Sequence, residues 1–261
     1  MNNIEINDMH WAILDIAKCF HQICEINKIP YYMLGGTMLG AIRHKGFIPW
    51  DDDMDFGIPR TYINLFIKIC KRNLPWYYKL VCSEDYEYQI NYDTIKLIDI
   101  RYSIKEVGRE TLNVNMGLFI DIFPLDESND SWSRFSRNAI ILSLLRWNSL
   151  KYIPLKNNSH PKQKIIAYLV KLLPNDFCKN LAHSILLKKG SHYSNYGGFW
   201  HAKETISKKT FGAPLLYEFE DTYFYGVQDS NSYLTSLYGD YMKLPPENKR
   251  HLHIYQCKRI Q

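Results

Sequence analysis

Long apolar runs, paired cysteines and internal repeats are all missing from this chain of 261 residues. The longest apolar run spans residues 165–170, far short of the roughly 20 residues that a membrane-spanning helix needs. The six cysteines form no C-x-x-C pair, which argues against a thiolate metal site. The polar start of the chain lacks the basic and apolar regions of a signal peptide. We therefore expect a cytoplasmic protein with reduced cysteines.

Acidic residues are scarce in the middle of the chain. Residues 131–190 carry 11 lysines and arginines against one acid, whereas residues 1–130 carry 13 against 19 and residues 191–261 carry 8 against 7. Apolar residues recur in the basic segment at intervals of three or four, which predicts amphipathic helices. Such helices suit the surface of an anionic membrane, but a phosphate-rich partner or an ordinary solvated face fits them as well. Nucleic acid is not expected, because zinc-finger spacing and RNP-like aromatic motifs are missing.

Strand and helix patterns alternate through the first 125 residues, which favours an α/β fold. We expect a single domain with an α/β core over residues 1–127, a basic helical insertion or lobe over 128–190 and an aromatic-rich C-terminal part over 191–261. The expected helices span residues 8–27, 37–44 and 61–71, and the expected strands span residues 31–34, 53–58, 77–82, 94–100 and 117–123.

Four aspartates lie within five residues of the chain, namely Asp51, Asp52, Asp53 and Asp55. If residues 53–58 form a strand, the side chains of Asp53 and Asp55 point to the same face, about 6.5–7 Å apart along the backbone. Two neighbouring carboxylates repel each other unless a cation lies between them, and such oxygen ligands suit Mg²⁺ or Mn²⁺. The four acids alone would equally fit a solvated turn.

A glycine pair follows the first expected strand and opens a helix. Backbone N–H groups of Gly35, Gly36 and Thr37 would be available there to an anion, and glycine lets a phosphate approach the backbone. Arg43 and Lys45 come at the end of the same helix, where they would neutralise phosphate oxygens or complement the helix C-terminus. By itself the glycine pair would also fit a tight turn.

A third acid completes the pattern. Asp121 lies between Ile120 and Ile122 in an expected strand, where a lone carboxylate is costly to bury unless it meets a metal or a base. Asp126 lies beyond Pro124, in what we expect to be a loop, and is the weaker candidate. A phosphate cradle near a metal-binding acid cluster is the equipment for transfer at phosphorus.

Four segments together resemble the LicD family. They are GGT at residues 35–37, RHKGFIPWDDDMDFGI at 43–58, FIDIFPLD at 119–126 and YGDYMKLPP at 238–246. The family is similar to phosphocholine transferases of bacterial surface glycans and to fukutin-type ribitol-phosphate transferases. The resemblance implies a nucleotidyltransferase-like fold with a mixed sheet flanked by helices. It also implies Mg²⁺-dependent transfer of a phospho-alcohol from a CDP-activated donor to a glycan hydroxyl, with release of CMP.

The resemblance assigns a role to each part of the pattern. Residues 35–37 match the phosphate-contacting turn of the family, Asp53 and Asp55 match its metal-binding pair, and Asp121 matches its third acid. On this basis Asp53, Asp55 and Asp121 are the expected catalytic and metal-binding residues, with Asp121 as the candidate base. Segment 227–234 lacks a proline expected there, which affects only a local loop.

The donor and the acceptor stay open. CDP-choline would require an aromatic cage for its quaternary ammonium group, and ethanolamine, glycerol and ribitol phosphates are the alternatives. The candidate cage residues are Trp50, Trp200, Tyr223, Tyr225, Tyr238 and Tyr241. The expected acceptor is a lipopolysaccharide, capsule or teichoic acid type of glycan. A lipid-linked acceptor would explain the basic segment through peripheral association with the inner face of an anionic membrane.

Two other functions compete with this hypothesis. Metal-dependent glycosyltransferases also use a D-x-D at a strand end, as in Asp53–Met54–Asp55, and would consume a nucleotide-sugar. A non-catalytic glycan-binding module could have inherited the fold. His251 and His253 form an H-x-H pair that can bind metal, but we interpret them as surface or packing residues.

Overall fold

The computed structural model describes residues 4–90, 93–107, 109, 114–133, 135–153, 155, 160–198, 200–250 and 252–260. Its helices are α1 Ile6–Ile26, α2 Gly35–Arg43, α3 Arg60–Asn73, α4 Arg137–Ser149, α5 Pro161–Lys171, α6 Phe177–Ser184, α7 Lys208–Phe211 and α8 Ser230–Tyr238. Its strands are β1 Tyr32–Met33, β2 Asp55–Pro59, β3 Tyr78–Val81, β4 Ile95–Glu106, β5 Met116–Ser128, β6 His192–Ser194, β7 Thr205–Ser207, β8 Leu215–Phe219, β9 Thr222–Gly226 and β10 Ile254–Arg259.

Eight of the described strands form one mixed sheet with β5 near its centre. The main path runs β1-β2-β5-β4-β10, with β3 paired to β4, β6 to β5 and β7 to β6. Only the β2–β5 pair is parallel among these, and it places Asp55 directly beside Asp121. Strands β8 and β9 form a separate hairpin. The expected α/β fold with a mixed sheet is confirmed.

Strand β5 buries one of its two faces in the hydrophobic core. Its residues Leu118, Ile120 and Ile122 are fully buried on one face. Asp121 points to the other face because side chains alternate along a strand. Helix α1 packs against β4 and β5 through an apolar stripe that includes Ile13 and Phe20, as the spacing of the sequence predicts.

Strand β5 continues through Pro124, so the expectation of a loop there is wrong. Asp126 lies within the strand, where it is buried and accepts two hydrogen bonds of 2.8 Å from the guanidinium of Arg60. Arg60 also donates to Asp93, 2.7 Å away. A bidentate arginine is the partner that a buried carboxylate needs, so Asp126 is part of the fold rather than of a reactive site.

The basic segment forms helices, as predicted, and lies between the paired strands β5 and β6. Helices α4, α5 and α6 build a second apolar cluster with Tyr196, separate from the cluster around the main sheet. The basic helical region is therefore an insertion into the sheet with its own small core. None of the helices in the described part of the chain is long and apolar enough to cross a bilayer.

Candidate active site

Four aspartates meet in one cleft with a volume of about 350 Å³. Asp55 is the first residue of β2 and Asp121 lies on the neighbouring strand β5, whereas Asp51 and Asp53 come from the loop that precedes β2. The backbone N–H of Asp121 donates to the carbonyl of Met54 at 2.9 Å, which holds the loop to the sheet. The three acids expected from the sequence are thus brought together, and Asp51 joins them.

Asp52 has a different place from its three neighbours. It is buried, and its carboxylate accepts hydrogen bonds from the backbone N–H groups of His253 at 3.0 Å and Ile254 at 2.6 Å. This contact fastens β10 to the acidic loop. His10 fastens the loop from the other side, since its Nε2 lies 2.6 Å from the carbonyl of Asp51 while its ring stacks on Phe47.

The glycine turn borders the carboxylates. A Cβ on Gly36 would lie 2.6 Å from Asp51 Oδ2, and one on Gly35 would lie 3.4 Å from Asp55 Oδ2. Gly35 has φ +47°, a conformation that favours glycine. Thr37 does not line the cleft; its Oγ1 accepts a hydrogen bond of 2.7 Å from the backbone N–H of Asp55 and so positions that residue.

Arg43 and Lys45 are not brought to the described lining of the cleft. The guanidinium of Arg43 donates to the carbonyl of Tyr241 at 2.7 Å. Lys45 is exposed, and its carbonyl accepts a hydrogen bond of 2.7 Å from Glu220. The nine-residue helix α2 explains the separation, because a rise of 1.5 Å per residue places its two ends about 12 Å apart.

Lys96 is a site residue that sequence reasoning missed. It lies opposite Asp121 on β4, and its Nζ is 2.8 Å from Asp121 Oδ2 and 3.2 Å from the centre of the Phe119 ring. Both side chains are largely buried. The available signal was a lone lysine inside the apolar strand pattern TIKLIDI, which matches the lone aspartate of the neighbouring strand.

His253 also enters the site, so the interpretation of this residue as surface or packing is incomplete. Its imidazole is exposed, yet it lines the cleft, with Nδ1 at 3.2 Å from Asp52 and 3.4 Å from Asp53. The hydrogen bond with Asp52 raises the pKa of His253 to about 9. His251 lies outside the described residues.

The cleft concentrates negative charge. Burial raises the pKa of Asp51 to about 8 and that of Asp53 to about 6, with neighbouring carboxylates adding to both effects. Burial and the nearby Asp53 raise the pKa of Asp55 well above its usual value. Asp121 Oδ1 is buried without a hydrogen-bond partner in the described part of the protein. Carboxylates in this state gain from a cation between them.

A metal ion has ligand atoms within reach here. One atom from each of Asp51, Asp52 and His253 lies within 4.8 Å of the others, a spacing at which such groups can hold a metal. The Asp52 carboxylate is already taken up by N–H groups of His253 and Ile254, however. Asp52 does not line the cleft, whereas four other aspartates do, namely Asp51, Asp53, Asp55 and Asp121.

The opposite wall of the cleft comes from α8 and from five residues that precede it, namely Asn195, Gly197, Gly198, Trp200 and Glu204. Glu204 accepts hydrogen bonds of 2.8 Å from the side chain of Asn195 and from the backbone N–H of Trp200. Trp200 and Tyr238 meet edge to face, with ring centres 5.4 Å apart. Of the six candidate cage residues, these two line the cleft, while the other four lie elsewhere: Trp50, Tyr223, Tyr225 and Tyr241.

Comparison with known proteins identifies the family of this chain. Residues 28–141 match the family model of the LicD/FKTN/FKRP nucleotidyltransferase domain. The chain is 33% identical to lipopolysaccharide cholinephosphotransferase LicD of Haemophilus influenzae over 98% of both proteins. A segment of 47 residues, 18% of this chain, is 40% identical to human ribitol 5-phosphate transferase FKRP, of which it covers 10%. The full-length similarity shows that this chain belongs to the LicD family.

Proposed function

We propose that this protein acts in the cytoplasm and transfers phosphocholine from CDP-choline to a glycan of the cell-surface type. The acceptor is a hydroxyl group of that glycan, and CMP is released. The observation that carries the proposal is the single cleft in which the glycine turn, Asp53, Asp55 and Asp121 face one another. The 33% identity to a lipopolysaccharide cholinephosphotransferase over nearly the full length favours a lipopolysaccharide type of acceptor.

Asp53, Asp55 and Asp121 would hold the divalent cation, with Mg²⁺ preferred and Mn²⁺ as an alternative. The residues fit such an ion, because Asp121 Oδ1 is a buried acceptor without a partner among the described groups and burial disfavours the charge on the other two acids. When bound, a divalent cation polarises phosphoryl oxygens and neutralises the charge that develops on them.

The chain itself supplies the remaining parts of the reaction. The backbone N–H of Gly35 already donates to the hydroxyl of Tyr233 at 3.0 Å, so the N–H groups of Gly36 and Thr37 would hold the donor phosphates, at the positive end of the helix dipole. Lys96 fixes Asp121 through Oδ2 and so orients this acid for its second role as the candidate base, in which it receives the proton of the acceptor hydroxyl. The hydroxyl oxygen then forms a bond to the phosphorus next to the alcohol as the bond between that phosphorus and the CMP oxygen breaks.

The opposite wall suits the choline head. A quaternary ammonium group binds to aromatic faces, and Trp200 with Tyr238 presents an aromatic corner beside the carboxylate of Glu204. Glycerol or ribitol carries no positive charge and would gain nothing from this corner. The wall therefore favours CDP-choline over CDP-glycerol and CDP-ribitol.

Release of CMP tests the proposal. The panel contains CDP-choline, CDP-ethanolamine, CDP-glycerol, CDP-ribitol and a UDP-sugar, each with lipopolysaccharide and with or without Mg²⁺. We expect Mg²⁺-dependent CMP release from CDP-choline, its loss in Asp55→Asn and its retention in the exposed control Asp130→Asn. Consumption of the UDP-sugar with release of UDP would instead indicate a glycosyltransferase.

A further inference from the structure

Helix α5 exposes an apolar stripe to solvent. Ile165, Tyr168, Leu169 and Leu172 are 61%, 67%, 55% and 69% exposed. Their spacing of three, four and seven residues places them on one side of the helix. An amphipathic helix of a globular protein normally turns such a stripe toward the core. This stripe is instead available to a partner outside the unit that α4, α5 and α6 form, which we call the lobe.

The stripe borders an apolar groove of about 510 Å³ between α4, α5 and α6. The packed side of α5 forms the groove floor through Val170, whereas its rim carries the exposed side chains of Trp147, Phe177 and Leu181. Only apolar and cysteine side chains line it: Leu144, Trp147, Ile166, Leu169, Val170, Leu172, Leu173, Phe177, Cys178 and Leu181. The stripe and the groove share Leu169 and Leu172 and therefore form one continuous surface. We call this surface the apolar face of the lobe.

Basic residues dominate the segment that carries this apolar face. Residues 131–190 carry 11 basic residues against the single acid Asp176. Lys162 and Lys171 are exposed on α5 itself, and Lys188 and Lys189 follow α6. Within the part of the chain that the structure describes, none of these four lysines forms an ion pair with an acid. Asp176 is itself engaged by Lys179 at 3.4 Å.

The lobe is joined directly to the wall of the cleft. Tyr196 packs in the apolar cluster of the lobe and donates a hydrogen bond of 3.0 Å to Asn138 on α4. Its neighbours Asn195 and Gly197 line the cleft. Trp132 adds a second tie, since its indole N–H donates to Thr205 at 2.9 Å. A surface that captures the lobe therefore also holds the cleft near that surface.

We infer that the apolar face of the lobe docks on an anionic phospholipid bilayer. Its leucines and aromatic side chains enter the outer acyl-chain region, while the lysines around them contact the anionic headgroups. Charge complementarity argues for this occupant, because an apolar protein partner would explain the groove but not the exposed Lys162 and Lys171 on the same helix as the stripe. Both the buried apolar area and the attraction to anionic lipid strengthen such binding.

Vesicle sedimentation of the full chain tests the inference. The vesicles contain phosphatidylcholine alone or phosphatidylcholine mixed with phosphatidylglycerol. We expect binding to the mixed vesicles that weakens with salt. The double variant Leu169→Glu, Leu172→Glu should bind them more weakly by more than about tenfold, because two apolar side chains are lost from the interface. Lys162→Gln with Lys171→Gln should cost about fivefold for each lysine.

A control variant outside the apolar face and a fluorescence measurement complete the test. Leu216→Glu, at an exposed leucine of the β8–β9 hairpin, should bind like the wild type. Vesicles with brominated acyl chains should quench the fluorescence of the wild type more strongly than that of Trp147→Phe. This second readout needs no substitution in α5, so it stands even if the double leucine variant does not fold.

Three results would overturn the inference. One is equal binding of mixed vesicles by the wild type and either double variant. Another is a wild type that binds no vesicles. The third is a dimer in solution that Leu169→Glu, Leu172→Glu converts to a monomer, since a second copy of the chain would then cover the apolar face. None of these results bears on CMP release, which tests the catalytic proposal separately.

Discussion

Lys96 Nζ lies 2.8 Å from Asp121 Oδ2, at directly opposed positions of the adjacent strands β4 and β5. The pair brings a positive side chain from inside the sheet into contact with one of the acids that line the cleft. It fixes the orientation of Asp121, whose other oxygen has no protein partner in the described part of the chain. Positioning of Asp121 and partial neutralisation of the cleft thus depend on the same lysine.

We predict that Lys96→Met lowers both stability and turnover. Removing one partner of a buried ion pair costs about 3–5 kcal/mol, because the remaining charge is left uncompensated. Urea unfolding at neutral pH measures the first effect and CMP release measures the second. Lys105→Met, at an exposed lysine of the same strand, is the control and should leave both unchanged. A Lys96→Met protein with wild-type stability would show that Asp121 does not need its partner.

The pH dependence of stability without metal should report on Asp51. Its pKa is about 8 in the folded protein, against about 4 in an unfolded chain. The folded state therefore holds the extra proton between these values, and the free energy of unfolding falls as pH rises through that range. We predict that, in EDTA, the free energy of unfolding of Asp51→Asn increases relative to that of the wild type as the pH rises from about 6 to about 9. The expected increase is on the order of 1–2 kcal/mol.

Urea unfolding of both proteins at several pH values gives this difference directly. Comparison with the variant removes the contribution of the shifted histidines and cysteines, which are common to the two proteins, and reports Asp51 together with the carboxylates whose pKa it raises. Added Mg²⁺ should reduce the pH dependence of the wild type, since a bound cation stabilises the ionised carboxylate. A difference that stays constant from pH 6 to pH 9 would contradict the prediction.

Two glycines of α2 should respond differently to alanine. A Cβ on Gly36 would lie 2.6 Å from Asp51 Oδ2, the end of a side chain in the cleft, whereas a Cβ on Gly40 would lie 2.5 Å from the backbone carbonyl of Gly46. We predict that Gly36→Ala keeps its melting temperature but loses most CMP release. Gly40→Ala should lower the melting temperature, because backbone must move. Equal melting temperatures for the two variants would count against this assignment.

The sequence was most informative where the site is local. Gly35, Gly36, Asp53 and Asp55 lie within 21 residues, so one strand, one turn and one helix bring them together. Asp121 could be added because a charged residue inside an apolar strand stands out. Arg43 illustrates the limit of proximity along the chain, since a helix carries it away from the turn.

Residues that reach the site from far along the chain could not be found in this way. Glu204 and His253 lie about 150 and 200 positions beyond the acidic loop, in segments without strong periodicity. What places His253 is the pair of backbone hydrogen bonds from β10 to the buried Asp52. Such a contact depends on the closed sheet and leaves no pattern in the local sequence.

The aromatic corner should decide between donors. We predict that Trp200→Ala raises KM for CDP-choline roughly threefold to thirtyfold, the range expected for loss of one cation–π contact. Any residual turnover of CDP-glycerol should change little, because glycerol carries no charge for the indole to attract. Trp76→Ala, at an exposed tryptophan that does not line the cleft, is the matched control.

The ratio of the two KM changes distinguishes loss of choline recognition from a general disturbance of the cleft wall. A general disturbance of the wall would raise KM for both donors alike, since the phosphates and cytidine are common to them. Only loss of choline recognition raises the KM for CDP-choline selectively, and Trp200→Phe should restore part of it because a smaller aromatic face remains. Equal changes in KM for the two donors would show that Trp200 shapes the wall but does not bind the choline group. Selection of choline would then depend on other side chains.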